Sequence, residues 1–175
     1  MKGQIKTEGH IKTEEQKMNV PREKPITRKP ETKTVVKKTV ASTKKKTGCI
    51  SGSCRNGFGV AINHKTYERY EGNWNNGRRS GYGIEYYADN KKKYEGNFVG
   101  SVFQGYGTYF YRNGEKYVGN FQKGVKHDDK ATLYYRNGNR LYVRYVNGKK
   151  QGKGTLVFYS GLKKSIYFKD DKQLL

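Results

Sequence analysis

From residue 70 onward, apolar or glycine positions alternate with polar ones over short stretches. In Tyr70-Glu71-Gly72-Asn73-Trp74 the alternation sets Tyr70, Gly72 and Trp74 on one face and Glu71 and Asn73 on the other. That is the period of a half-buried β-strand. Asn75-Asn76-Gly77 follows, and because Asn and Gly tolerate positive φ the chain is expected to reverse there. A second strand is predicted from Gly81 to Tyr87, with a second reversal at Ala88-Asp89-Asn90. Later reversals fall at Arg112-Asn113-Gly114 and Arg136-Asn137-Gly138, and their Asn-Gly pairs are strong hairpin signals.

The hairpin repeats. The opening strand returns as Tyr94-Glu95-Gly96-Asn97-Phe98, as Tyr117-Val118-Gly119-Asn120-Phe121 and, degraded, as Leu141-Tyr142-Val143-Arg144-Tyr145, in steps of 24, 23 and 24 residues. The second strand returns as Gly81-Tyr82-Gly83, Gly105-Tyr106-Gly107 and Gly152-Lys153-Gly154, with an upstream copy at Gly57-Phe58-Gly59. In the third copy Asp128 and Lys130 stand where the glycines are expected. Glycine weakens a strand interior, so its recurrence there implies that something bulky approaches closely. The expected neighbour is an aromatic ring of an adjacent strand, Trp74, Phe98 or Phe121, lying across bare backbone. The predicted fold is all-β: a single-layer, elongated, twisted antiparallel sheet of four to five successive β-hairpin repeats. Two strands per repeat advance such a sheet by roughly 10 Å, for a length on the order of 45 Å.

The pattern Tyr-x-Gly-x-Trp/Phe-x-x-Gly-x-x-x-Gly-x-Gly resembles the MORN (membrane occupation and recognition nexus) repeat, over about residues 48–168. The opening Gly48-Cys49-Ile50-Ser51-Gly52-Ser53-Cys54 looks like the start of bacterial arrays of this type, and the later copies drift toward variant MORN repeats. The resemblance implies a scaffold or accessory interaction module, and its name implies contact with membrane lipids.

Composition divides the chain at about residue 47. Residues 1–47 hold none of the 24 aromatic residues, all three prolines, and 14 Lys/Arg against 5 Glu, a net of +9. Such a segment cannot bury enough apolar surface to offset its ordering entropy and reads as a disordered basic tail. Residues 48–175 read as the repeat array, with 22 − 9 = +13 of the formal charge. The whole-chain balance of +22 exceeds what solubility requires and points to an anionic partner. Arg78, Arg79, Lys91, Lys92, Lys93, Lys149, Lys150, Lys163 and Lys164 fall in or beside reversals, so they are expected to line the rims of the sheet and meet that partner.

Catalytic chemistry finds little support. No nucleophile elbow, phosphate-binding glycine loop or zincin motif occurs. His127, Asp128 and Asp129 are consecutive, and adjacent strand residues point to opposite faces, so they do not converge. Glu71, Glu85, Glu95 and Glu115 recur with the repeat and read as charges on a solvated face. Cys49 and Cys54 read as two small residues of a capping hairpin, with a disulfide favoured only in an oxidising compartment. No cofactor or metal is expected. Nor does the sequence show a signal peptide or a transmembrane segment, so the expected place is the cytoplasm, with peripheral contact at a membrane surface as an option. The expected function is non-catalytic protein–protein scaffolding with an anionic partner. The alternatives are peripheral binding to anionic lipids and nonspecific nucleic-acid binding through the tail.

Overall fold

The structure, a computed structural model, describes residues 47–174. The tail reading for residues 1–46 lies outside the described residues. Within them there is no helix, and thirteen strands form one open antiparallel sheet. The path runs β1 (Gly48–Gly52), β2 (Gly57–Ile62), β3 (Arg69–Asn75), β4 (Arg78–Tyr86), β5 (Lys92–Val99), β6 (Val102–Phe110) and β7 (Lys116–Gln122). It continues through β9 (Asp128–Tyr134), β10 (Arg140–Val146), β11 (Lys149–Val157), β12 (Lys163–Lys169) and β13 (Lys172–Leu174), while the two-residue β8 (Val125–Lys126) pairs only with β7. Apart from β7, which pairs with both β8 and β9, every neighbour in the sheet is a neighbour in sequence, as a chain of hairpins requires.

A row of glycines crosses seven consecutive strands. Register pairs Gly52 with Gly59, Gly59 with Gly72, Gly72 with Gly83, Gly83 with Gly96, Gly96 with Gly107 and Gly107 with Gly119. The rings that roof this row are Tyr70, Tyr94 and Tyr117, each two residues before a glycine on its own strand. A Cβ added at Gly83 would meet the Tyr70 ring, and one at Gly107 the Tyr94 ring, each well inside contact distance. Trp74, Phe98 and Phe121, expected to cover the glycines, instead pack edge-on against these tyrosines, with centroids 5.2 Å (Tyr70–Trp74), 5.1 Å (Tyr94–Phe98) and 5.1 Å (Tyr117–Phe121) apart. The hydroxyl decides between them. Tyr70, Tyr94 and Tyr117 donate to the carbonyls of Asn73, Asn97 and Asn120 at 3.0, 3.1 and 2.8 Å. A phenol can therefore lie flat over glycine with its polar end satisfied, which a phenylalanine there could not offer the carbonyl.

The fourth repeat solves the same packing problem differently. Leu141 replaces the tyrosine and Val143 the glycine, and both are buried. A smaller roof and a larger floor fill the same space. The third copy differs from its sequence alignment by one residue. Val118 pairs with Thr132 and Val143 with Ala131, so Ala131, not Lys130, continues the glycine row. The extra residue is absorbed inside β9, between Asp128 and Ala131, where the register with β10 shifts.

At the start of each long strand the chain bends at Gly81, Gly105 and Gly152, whose φ values of +66°, +69° and +70° suit glycine. The bend carries one reversal over the previous repeat. The amide of Gly77 donates to the Arg55 carbonyl, Ser101 to Arg79, Gly124 to Phe103, Gly148 to Lys126 and Asp171 to Lys150, at 2.8 to 3.2 Å. This ladder ties each hairpin to the one before it, in keeping with nearest-neighbour stability in repeat proteins.

Candidate functional site

The ladder defines one residue per repeat whose carbonyl accepts the next turn: Arg79, Phe103, Lys126 and Lys150 after the first, Arg55. The same four side chains pack on rings of the tyrosine-roofed face. The Arg79 guanidinium lies 5.6 Å from the Tyr70 centroid and 5.1 Å from that of Phe98. Phe103 stacks on Tyr94 at 3.8 Å. Lys126 stands among Tyr111, Tyr117 and Tyr145 at 4.9, 5.2 and 5.4 Å, and Lys150 lies 5.2 Å from Phe168. A cationic stripe broken by one aromatic ring thus runs along this face, stabilised by cation–π attraction.

The stripe is unevenly neutralised. Around Arg79 a cleft of about 610 Å³ is lined by Tyr70, Trp74, Glu85, Lys93 and Phe103 among others. In it Glu85 is buried, 3.0 Å from Arg79 and 3.6 Å from Lys93, which also meets Glu68 at 2.8 Å. Glu85 is therefore an internal counterion rather than a charge on a solvated face. Burial works against the charge of Lys93, but the hydrogen bond to Glu68 and the field of Glu85 outweigh it and hold its pKa above the usual lysine range. Lys150 meets Asp171 at 3.3 Å. Lys126 has no direct carboxylate partner among the described residues; its ammonium donates to the Tyr111 hydroxyl. Burial pushes its pKa down, Asp171 opposes this from a distance, and Lys150 adds to it. Two hollows of about 300 and 310 Å³ adjoin Lys126, one toward Phe103 and Tyr109, the other toward Tyr135 and Lys150.

The basic residues singled out in the sequence do not form one patch. Arg78 and Lys149 flank the reversals on one rim, and Lys91, Lys92, Lys163 and Lys164 flank those on the opposite rim. Arg79, Lys93 and Lys150 turn inward and are internally paired. Lys92 pairs with Glu95 at 2.8 Å. Lys126 was missed, because nothing local distinguishes it; its signal is the repeat position it shares with Arg79 and Lys150. His127, Asp128 and Asp129 diverge to different partners: Asn147, Asn120 and Arg144. Cys49 and Cys54 form a disulfide across the first hairpin, correcting their reading as two small packing residues. Among the described residues no group of three His, Cys, Asp or Glu could hold a metal, and no helix is long and apolar enough to cross a membrane.

The glycine row, its tyrosine roof and the two-dozen-residue step now meet a direct comparison: the MORN-repeat family model matches residues 70–92, 94–116 and 144–163. The sheet carries MORN repeats at these three positions. The unmatched stretch between the second and third hits contains the one-residue bulge between Asp128 and Ala131 and the Leu141/Val143 exchange. MORN repeats are generally non-catalytic modules that serve as scaffolds for protein or lipid binding. No curated protein matches the chain.

Proposed function

We propose that this MORN array is a non-catalytic scaffold that holds an acidic protein segment along its tyrosine-roofed face and the adjoining rim. The observation that carries this reading is Lys126. Among the described residues this half-buried ammonium has no direct carboxylate partner; Glu115 and Asp171 line the hollow on one side, and the hollow beside Phe103 and Tyr109, which holds no carboxylate, leaves it open to one. An incoming Glu or Asp would complete the pairing that Glu85 provides for Arg79 and Asp171 for Lys150. Arg78 and Lys149 on the neighbouring rim would steer the segment, with the other exposed basic residues adding long-range attraction. The rival reading, anionic lipid headgroups, rests on the same net charge. A membrane surface would engage exposed rim cations and leave Lys126 idle.

Binding of a fluorescent poly-glutamate peptide, followed by anisotropy, tests this. Lys126→Met keeps the stem and removes the charge. It is expected to weaken binding about tenfold or more, the worth of one charge-assisted contact. Arg78→Glu with Lys149→Glu should steepen the loss at low salt. Unchanged affinity in Lys126→Met would contradict the proposal. Co-sedimentation with phosphatidylserine vesicles that depends on Lys163 and Lys164 but not on Lys126 would favour the lipid reading.

A further inference from the structure

The face opposite the tyrosine roof carries a second row, directly beside the glycines. Register pairs Phe58 with Asn73, Tyr82 with Asn97 and Tyr106 with Asn120. Lys130 and Arg144 continue the row beside Ala131 and Val143, and Lys153 pairs with Tyr167. All of these residues are exposed, with Phe58 and Tyr106 at 62 %, Tyr82 at 52 % and Tyr167 at 50 %. Single exposed rings need no explanation. Here, however, rings recur in one line on alternate strands, one repeat or roughly 10 Å apart, with an asparagine between each pair. The Tyr82 hydroxyl donates to Glu95 at 2.6 Å, which tethers its ring across the neighbouring strand. Charge along the row is graded. Beside the rings, Glu95 is matched by Lys92 and Glu71 by Arg69. Beyond Asn120 the row turns cationic at Lys130, Arg144 and Lys153; among the described residues Asp129 alone is ion-paired to this stretch, with Arg144 at 2.8 Å.

We infer that this row is a binding track for an extended, acidic, β-linked glycan. In a β-1,4-linked chain every second sugar turns the same face outward, so its repeat is a disaccharide whose length is close to one ring-to-ring step. Sugar faces stack their C–H groups on exposed aromatic rings. The intervening asparagines offer both donors and an acceptor to hydroxyls that are donor and acceptor at once. Sugar carboxylates then fall along Lys130, Arg144 and Lys153, where their charge is complemented. Successive bases of a single-stranded nucleic acid are spaced more closely than these rings, so the row suits that polymer less well.

Calorimetric titration of the full chain with a β-1,4-linked mannuronate oligosaccharide spanning Tyr82 to Lys153 tests the inference. Cello-oligosaccharide of equal length, oligo-dT and poly-glutamate serve as comparison ligands. Saturable binding of the mannuronate chain is expected, stronger than that of its neutral counterpart. Tyr82→Ala with Tyr106→Ala should weaken it roughly tenfold, the scale of one or two lost ring contacts, at an unchanged melting temperature. Tyr106→Phe, which keeps the ring, should bind as wild type. Lys130→Glu with Lys153→Glu should weaken the mannuronate but not the neutral chain. Lys126→Met should leave glycan binding intact, which separates this face from the acidic-peptide site. No saturable binding, or equal affinity in the tyrosine and lysine variants, would overturn the inference. So would tighter binding of oligo-dT lost through the same substitutions, which would name nucleic acid as the occupant.

Discussion

Gly83→Val is expected to unfold the hairpin that carries it and to cost the array most of its cooperative stability. A Cβ at this position would stand 2.4 Å from the Tyr70 hydroxyl oxygen and 2.5 Å from Cε2 of its ring. The ring has nowhere to go. Its hydroxyl is held by the Asn73 carbonyl at 3.0 Å, and its edges meet Trp74 and Phe98 with centroids 5.2 and 5.0 Å away. Nor can the backbone retreat, since Gly72 and Gly96 flank Gly83 in register. Overpacking of an ordinary core costs about 1–3 kcal/mol. Here expulsion of Tyr70 would add the loss of a buried ring, so the total should exceed about 4 kcal/mol. Urea unfolding followed by circular dichroism measures it, and a wild-type midpoint would contradict the account.

Alkali is expected to unfold the array in one cooperative step. Burial raises the pKa of Tyr70 to about 12, against a smaller opposing effect of Arg79. Burial likewise pushes Tyr94, Tyr117 and Tyr145 above the ordinary tyrosine range, and Tyr111 to about 12. Unfolded tyrosine ionises near pH 10, roughly. Between the two values the unfolded chain has released protons that the folded one still holds. The stabilisation is thus complete below about pH 10 and is lost progressively as pH climbs through the folded values. A tenfold weaker acidity in the folded state corresponds to about 1.4 kcal/mol of stability. Several such groups therefore rival the roughly 5–15 kcal/mol that holds a domain together. Tyrosinate absorbance should rise in two stages: solvent-exposed phenols first, the roof later and together with loss of the strand signal. A single non-cooperative titration of all tyrosines near pH 10 would count against the roof.

The hairpins and their order could be read from the chain because each repeat encodes its own strands and turns, and because the period places successive glycines in register. Alternation also put Tyr70, Gly72 and Trp74 on one face. It could not say which ring covers which glycine, since that depends on where the tyrosine hydroxyl finds a carbonyl. The burial of Glu85 was hidden for a related reason. Its partners Arg79 and Lys93 come from a reversal and a neighbouring strand, and the bend at Gly81 and the register shift beside Lys93 are visible only in the fold. The third copy misled because spacing counts residues while the sheet counts paired residues, and one residue between Asp128 and Ala131 is bulged out of the pairing. The two candidate surfaces were partly legible. Rim cations followed from the turns, but the line of exposed rings from Phe58 to Tyr106 needs the register before it can be seen.

The central claim is that a tyrosine roof and a glycine floor are one packing unit, which the fourth repeat has exchanged for Leu141 over Val143. A thermodynamic cycle on the third repeat tests it most directly, with Tyr117→Leu, Gly119→Val and the double variant. A Cβ at Gly119 would stand 2.7 Å from the Tyr117 hydroxyl oxygen and 3.0 Å from Asp128 Oδ2, so the valine alone should be severely destabilising. If roof and floor are coupled, the double variant should be more stable than the sum of the single losses predicts, by more than about 1 kcal/mol. Strict additivity of the two losses would contradict the account.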